Sequence, residues 1–439
     1  MLVLSIPFVQ TALGKYATRR INEDFGTNIN IGKVGLQFNG DVELKEIYIE
    51  DYKQDTLIAA QELNTSILSF KKLYDNKLNF GDIDIDGLFF NIKTYKDATE
   101  TNLDIFVAKL DSDKPKDQKS SFVLSSSDVT IENSLFRITD QNKENPLKLD
   151  FNNLYIRAKD FLIAGPDVSA AIKKLAFKDS RGVEVKDMST DFKYTLSGMT
   201  FQDLSIKTPE SNLSGVLSFT YNREDLQHFT DKVTLSAHFD NTTIAMNELN
   251  TFYNEFGKNK VATFTADFSG TLNDLQVNNL KLNTVRNTKV YGDVNFKNLF
   301  NAKSDNFMMR GDFTNLSSNY RDLKALLPNI LGKSIPSSFD KLGNFTLKGS
   351  TNITSNTIET NNTIATDLGL MQSKLTMNRI DDVDNATYQG NIVFTDFDLG
   401  QFLNDKALGN ISLNMDLVGK GFTLEALNTT AQGNIYTLN

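Results

Sequence analysis

Apolar and polar residues alternate strictly along most of this 439-residue chain, and this alternation constrains the fold more than any other feature. A period of two places successive side chains on opposite faces of a strand, so each such segment predicts a strand with one apolar and one wet face. Between these segments lie turns rich in Asn, Asp, Ser, Thr and Gly. The sequence therefore predicts a mainly β protein, an elongated antiparallel sheet of repeating hairpins with an N-terminal helix and a few short helices, and such a sheet must be curled or pack on a second sheet.

The stretch GDIDIDGLFFNI, residues 81–92, shows how the period excludes a competing interpretation. Asp82, Asp84, Asp86 and Gly87 match the opening of an EF-hand calcium loop. The twelfth position of such a loop must be a glutamate, and here it is Lys93. Isoleucines alternate with the three acids, and the apolar positions change parity after the glycine. The pattern favours a half-buried strand that bends at a bulge over a metal site.

Composition narrows the classes of function. The formal net charge of -9 and the lack of a basic stripe disfavour a nucleic-acid partner. The chain has no cysteine and two histidines. His238 lies on the wet side of a strand pattern, and His228 lies in a polar connection. The sequence has no GxSxG, HExxH or P-loop motif, so we expect no enzyme activity, no metal and no cofactor.

The N-terminus has the character of a membrane anchor. MLVLSIPF is apolar but much shorter than the roughly 20 residues that span a bilayer, so we interpret it as the end of a transmembrane helix or a short interfacial anchor, and favour the former. The next segment predicts an amphipathic helix with Lys15 on the other side. Its membrane-proximal stripe, which would pack on the sheet or lie on a membrane, is Val9, Leu13, Ile21 and Phe25.

The pattern divides the chain into four regions. Residues 1–26 form the anchor and helix, 27–110 a first β-rich module, 111–120 a charged linker, and 121–439 an extended β region. Helical spacing interrupts the strands in TNLDIFVAKL, IAMNELNTFYNEFG, DLKALLPNILG and DLGQFLND.

A sheet of on the order of 20 strands would carry one long apolar face, and strand parity predicts the residues that form it. If the sheet closes on itself, the face is the dry core of a sandwich or solenoid. If it stays open, the face is a trough for an apolar ligand, and no dedicated head-group site is expected in it. Periodicity alone does not distinguish the closed sheet from the open one. The candidate lining residues are Leu217, Phe219, Leu235, Phe239, Phe264, Ala266, Phe268, Leu413, Met415 and Leu417.

The opening IPFVQTALGKYATRRINEDFGTNINIGKVGLQFNGDVELKEIYIED, the GDIDIDGLFFNI strand and the later YQGNIVFTDFDLGQFLNDKALGNISLNMDLVGKGFTLEALN resemble the AsmA-like superfamily, most closely its TamB group. The resemblance extends along nearly the whole chain. It is carried by glycines and apolar positions and not by a catalytic signature.

This resemblance implies a protein of the Gram-negative envelope, anchored in the inner membrane by one N-terminal pass, with its body in the periplasm. It implies a taco-shaped β-groove that carries phospholipid between the inner and outer membranes. It also implies support of outer-membrane protein assembly with a BamA-like barrel as partner, through a C-terminal domain that is absent from these residues. Two other functions stay open: a closed solenoid or sandwich adhesin without lipid, and a chaperone whose sheet edge pairs with incoming strands.

Overall fold

The computed structural model describes residues 7–37, 40–67, 77–110, 123–143, 147–164, 167–252, 256–299, 306–326, 328, 337–382, 384–421 and 426–438. The described chain is mainly β, as predicted, with antiparallel pairing at all but two strand contacts. It divides into two compact units, residues 1–209 and 210–439. The predicted linker at 111–120 lies outside the described residues, and the strands that flank it pair with each other.

The first unit contains a long N-terminal helix, ten strands and one further helix. Their bounds are α1 Pro7–Phe25, β1 Asn28–Leu36, β2 Asp41–Glu50, β3 Thr56–Ile67, β4 Lys77–Asp86, β5 Phe89–Thr94, α2 Asn102–Leu110, β6 Val123–Asp140, β7 Leu147–Ala164, β8 Asp167–Asp179, β9 Glu184–Thr195 and β10 Gly198–Lys207.

The order of the first sheet follows the chain except at one crossover. β1, β2 and β3 are antiparallel neighbours, and β4 and β5 lie end to end between β3 and β6. Both pair in parallel with β6, a pairing that requires a crossover connection, and α2 lies in that connection. Thr101 caps α2, because Asp104 N donates to Thr101 Oγ1 at 3.1 Å and Asp104 accepts a hydrogen bond from Thr101 N in return.

The GDIDIDG stretch is a strand that ends at a break, as predicted. Asp82, Asp84 and Asp86 lie in β4, and Gly87 has a φ of +64° between β4 and β5. A side chain at Gly87 would meet the side chain of Gln61.

The second unit is a run of hairpins in chain order. Its strands are β11 Asn212–Thr220, β12 Thr234–Ala245, β13 Val261–Thr271, β14 Asp274–Thr284, β15 Lys289–Lys297, β16 Met308–Asn319, β17 Asn344–Thr354, β18 Thr357–Thr366, β19 Gly369–Asn378, β20 Thr387–Asp398, β21 Asn410–Lys420 and β22 Asn428–Leu438. Each pairs in antiparallel fashion with the next.

Short helices interrupt this run. They are α3 Phe229–Lys232, α4 Met246–Leu249, α5 Tyr320–Leu326 and α6 Leu399–Leu403, with 3-10 turns at Arg223–His228 and Ser337–Leu342. Helices α4, α5 and α6 lie in segments whose spacing predicts a helix, whereas the sequence pattern does not predict α3 or the 3-10 turns. The helix predicted from IAMNELNTFYNEFG is described as the four residues of α4, and residues 253–255 of that segment lie outside the described chain.

Bulges at Asn or Asp residues adjust the phase of many strands. In β14, Asn279 has a φ of +53°, and the pairing with β15 shifts between Val277 and Leu280. The extra residue returns Leu280 to the face that carries Val277. Asn and Asp adopt this left-handed conformation more readily than other residues with side chains. The same conformation occurs within strands at Asn133, Asn153, Asp160, Asp203, Asn241 and Asp396.

Helix α1 covers the free edge of β1 with polar side chains. The amide of Gln10 donates to Leu36 O at 2.6 Å and accepts from Leu36 N at 3.1 Å. Asn22 makes the same pair of bonds with Ile29, at 2.9 and 2.8 Å. Two side-chain amides thus occupy the backbone groups that a further strand would bind, which protects the edge.

A buried polar network joins the β2–β3 turn to α2. Asp51, 6 % exposed, accepts from Lys53 N and Asp55 N at 2.8 and 3.0 Å. Its other oxygen accepts from Tyr95 OH at 2.7 Å and from Asn102 Nδ2 at 3.0 Å. Asn102 is fully buried, so the carboxylate stabilises both the turn and the start of the helix.

An ion pair between β6 and β7 makes the first unit sensitive to acid. Arg137 donates to both oxygens of Asp150, at 2.6 and 2.8 Å, and these hydrogen bonds hold the pKa of Asp150 below its usual range. A lowered folded-state pKa gives stability that is present above the unfolded value near 4 and is lost as pH falls through the folded value.

We therefore expect Arg137→Gln to destabilise the first unit at pH 6 and to have a smaller effect at pH 2.5, because acid removes part of the Asp150 charge with which the arginine interacts. Urea unfolding of both proteins at the two pH values measures this. An equal loss of stability at both would show that the arginine acts through packing alone.

Candidate functional site: the apolar face

The ten predicted lining residues lie on one face of the second sheet. Strand register connects them: Phe219 lies opposite Leu235, Phe239 opposite Ala266, and Phe268 opposite Ala237. At the other end, Met415 lies opposite Ile392 and Leu417 opposite Gly390. The intervening pairs from β14 to β19 join both groups on the same side. The bulges do not move any of the ten to the other face.

Most of these side chains are half-buried. Of the ten, only Ala266 at 1 % and Leu413 at 7 % exposure are buried. Phe239, Phe264 and Phe268 are in mutual edge contact, with ring centroids 5.8 to 6.3 Å apart, and each keeps part of its surface in contact with solvent. The rings therefore pack on each other along the face without being covered.

The phenylalanines as a group show the same partial cover. The chain has 32 of them, and among those that the structure describes only Phe397 is buried. Phenylalanine in a closed core is commonly fully buried. Phe397 reaches this state because Phe394 stacks on it at 4.7 Å and Phe402 of α6 contacts its edge at 5.7 Å.

The first sheet carries a matching row of aliphatic side chains, one from each of nine strands. All nine are half-buried. In order of pairing they are Val34, Leu44, Leu63, Ile85, Ile131, Ile156, Leu175, Met188 and Ile206. Beside them an aromatic row, Phe90, Phe136, Phe151 and Phe177, has successive ring centroids 5.2 to 5.5 Å apart.

The packed clusters of the second unit are built from neighbouring strands and short end helices. One contains Ala266, Leu275, Val277 and Val294 from β13, β14 and β15. The other contains Leu342, Leu368, Phe397, Ile411 and Leu413. Among the described residues, neither cluster includes a side chain from a facing sheet.

The opposite face is polar and solvated. His238 is exposed there, as predicted, with Nδ1 2.6 Å from Asp267 Oδ1. Hydrogen bonds from Asn279 and then His238 hold the pKa of Asp267 below its usual range. An open recess of about 810 Å³ also lies over this face between β16 and β21, with charged lining residues of both signs, including Arg310, Lys374, Glu359 and Asp416. The candidate lining residue Leu417 borders it.

The apolar stripe predicted near the N-terminus lies in helix α1. This helix packs on β1 through Gln10, Gly14, Thr18 and Asn22, and a side chain at Gly14 would collide with Val34. Ile21 is 39 % exposed and Phe25 half-buried; Val9 and Leu13 lie in α1, but their side chains lie outside the described part of the chain.

Residues 1–6 of the predicted anchor also lie outside the described residues. In the part of the chain that the structure describes, no helix combines the length and the apolar character needed to cross a bilayer.

The described residues bring together no group of three or more acidic or histidine side chains that could hold a metal ion. Two of the three acids of β4 bind neighbours: Ser127 donates to Asp82 at 3.1 Å, and Asn133 donates to Asp86 at 2.6 Å.

No protein-family model matches the chain, and no curated protein shows significant similarity to it.

Proposed function

We propose that this protein is a periplasmic lipid-transport protein that carries phospholipid along its apolar sheet face between the inner and outer membranes. The proposal includes an N-terminal anchor in the inner membrane and support of outer-membrane protein assembly with a BamA-like barrel. The observation that carries it is the half-buried apolar face, in which large aromatic side chains lie side by side and keep part of their surface exposed among the described residues. The resemblance to the TamB group supports the same function.

An open apolar face suits the movement of an acyl chain because it replaces the membrane interior along the route. Removing about 16 methylenes from water is worth roughly 13 kcal/mol, but a chain in a bilayer has already gained this. Transfer onto the face is therefore nearly neutral, and the face lowers the barrier to leaving the membrane. The head group would stay in solvent at the margin of the sheet.

The competing function is that of an adhesin with a closed solenoid or sandwich fold, which would bind no lipid. In that case the face would be a core with rings as well buried as Phe397. Partial exposure of the remaining described phenylalanines favours the open face.

Lipid extraction and mass spectrometry of the purified chain test the proposal. We expect about one or more phospholipids per chain in the parent. A variant with Phe219→Glu, Phe239→Glu and Phe268→Glu should lose nearly all of them. A bound acyl chain would have to remove water from three carboxylates on the face, and this desolvation is unfavourable.

The matched control carries Ser218→Glu, Ser236→Glu and Thr263→Glu, which change the same three strands on the polar face. It should keep its lipid. Circular dichroism checks that both variants are folded. A parent without lipid, or equal loss from both folded variants, would contradict the proposal.

A further inference from the structure

A polar patch interrupts the apolar face of the second sheet at β17, β18 and β19. Register places Thr351 opposite Thr360 and Asn362 opposite Ser373, on the same side as the candidate lining residues. The patch, called here the polar step, consists of Thr351, Thr360, Asn362 and Ser373. The alternation that makes this face apolar elsewhere fails at these four adjacent positions.

The polar step is enclosed by apolar rows on both sides. Met309, Ile353, Ile358 and Met377 form one row, paired strand to strand. Leu316, Leu347, Ile364 and Met371 form the other. These rows carry no charged side chain, so any group that the step binds is recognised by hydrogen bonds and not by charge.

Hydrogen bonds satisfy the step only in part. Thr360 Oγ1 and Ser373 Oγ are 3.1 Å apart, and Asn362 Nδ2 donates to Thr351 Oγ1 at 3.0 Å. Asn362 is 5 % exposed, and its Oδ1 has no hydrogen-bond partner among the described residues. A buried acceptor without a partner costs about 1–3 kcal/mol, so a ligand that supplies a donor gains that interaction.

The glycine beside this amide fixes its position on the face. Gly349 lies opposite Asn362, and a side chain there would come within 2.7 Å of Asn362 Oδ1, so only a residue without a side chain leaves the amide in this place. Thr351, Thr360 and Ser373 are half-buried and reach the surface of the face. These three hydroxyl-bearing residues therefore present the polar step to a ligand that lies on the face.

We propose that the polar step binds an uncharged hydroxyl group of an amphiphile whose acyl chains lie on the flanking apolar rows. This inference rests on the proposed function and adds a selective site to a face that the sequence predicts to be without one. The ligand class is a lipid with a free hydroxyl near its ester linkages, as in a diacylglycerol.

Two probes that differ in one hydroxyl test the inference. Dioleoylglycerol has a free hydroxyl, and its acetyl ester does not. The binding of each to the full chain is measured by competition with a fluorescent diacyl lipid. We expect the parent to bind dioleoylglycerol about tenfold more tightly than the ester, as one hydrogen bond to a buried acceptor allows. Asn362→Leu should bind both probes with the affinity that the parent has for the ester.

The matched control is Asn352→Leu. Asn352 lies on the neighbouring strand β17 and also has a buried Oδ1 without a partner, but it faces the opposite side of the sheet. It should leave the tenfold preference unchanged. Thr360→Val is a second variant that keeps the shape of the step, and it should weaken the preference even if Asn362→Leu fails to fold.

The outcomes separate this inference from the proposed function. Equal binding of both probes by the parent, or a preference that survives Asn362→Leu and Thr360→Val, would overturn the polar step and leave lipid binding in place. If the parent binds neither probe nor the fluorescent lipid, both proposals fail.

Discussion

Replacing Phe397 by alanine should destabilise the second unit by about 3–5 kcal/mol, because its ring is buried between Phe394 and Phe402 and a cavity would remain. Phe268→Ala should cost about half as much. The ring of Phe268 has contacts to Phe239 and Phe264 but is half-buried, so less of its surface returns to water. The pair compares a covered and an uncovered phenylalanine within one sheet.

Urea unfolding of both variants, followed by tyrosine fluorescence and circular dichroism, measures the difference. This comparison also tests the open face without any lipid. If Phe268→Ala destabilises the protein as much as Phe397→Ala, the face is covered in solution by something that packs on it, and the closed-core function gains support.

Asp51→Ala should destabilise the first unit by about 3–5 kcal/mol. The substitution removes the acceptor of two turn N–H groups and of two side chains, Tyr95 and the fully buried Asn102. Donors left without partners in a buried site cost more than the hydrogen bonds contribute when formed.

Asp179 offers a matched control for Asp51. It begins the β8–β9 turn and accepts from Arg181 N and Val183 N, both at 2.9 Å, in the same arrangement. Its side-chain partner is the guanidinium of Arg181, whose side chain is 44 % exposed and can be solvated when the carboxylate is removed, so Asp179→Ala should cost only about 1–2 kcal/mol. Equal losses, measured by urea unfolding, would show that the turn and not the buried network carries the effect.

Strand parity predicts the composition of each face because the period of a strand is two and depends on no distant contact. Strand parity alone therefore assigns Phe219 and Leu413, far apart in sequence, to apolar faces, and the strand pairing puts them on the same one. The bulges also have a local sequence signal. At Val277 to Leu280 this signal is four residues long: an apolar residue, then any residue, then Asn or Asp, and then a second apolar residue.

Features that depend on a partner elsewhere in the chain escape such reasoning. The amides of Gln10 and Asn22 pair with a strand edge, whereas the periodicity of their helix marks only its apolar stripe. Asn362 has the parity of a lining residue, but only the register of three strands shows that it meets Thr351 and Ser373 within the face.

The hairpin order of the second sheet has a consequence for how the protein folds. From β12 onward, each strand pairs with the strand made just before it, so every contact between these strands joins neighbours in the chain. Short-range contacts cost little chain entropy and form quickly. A sheet of this kind can add strands one hairpin at a time as the polypeptide is synthesised, whereas the pairing of β4 and β5 with β6 must wait for the crossover through α2.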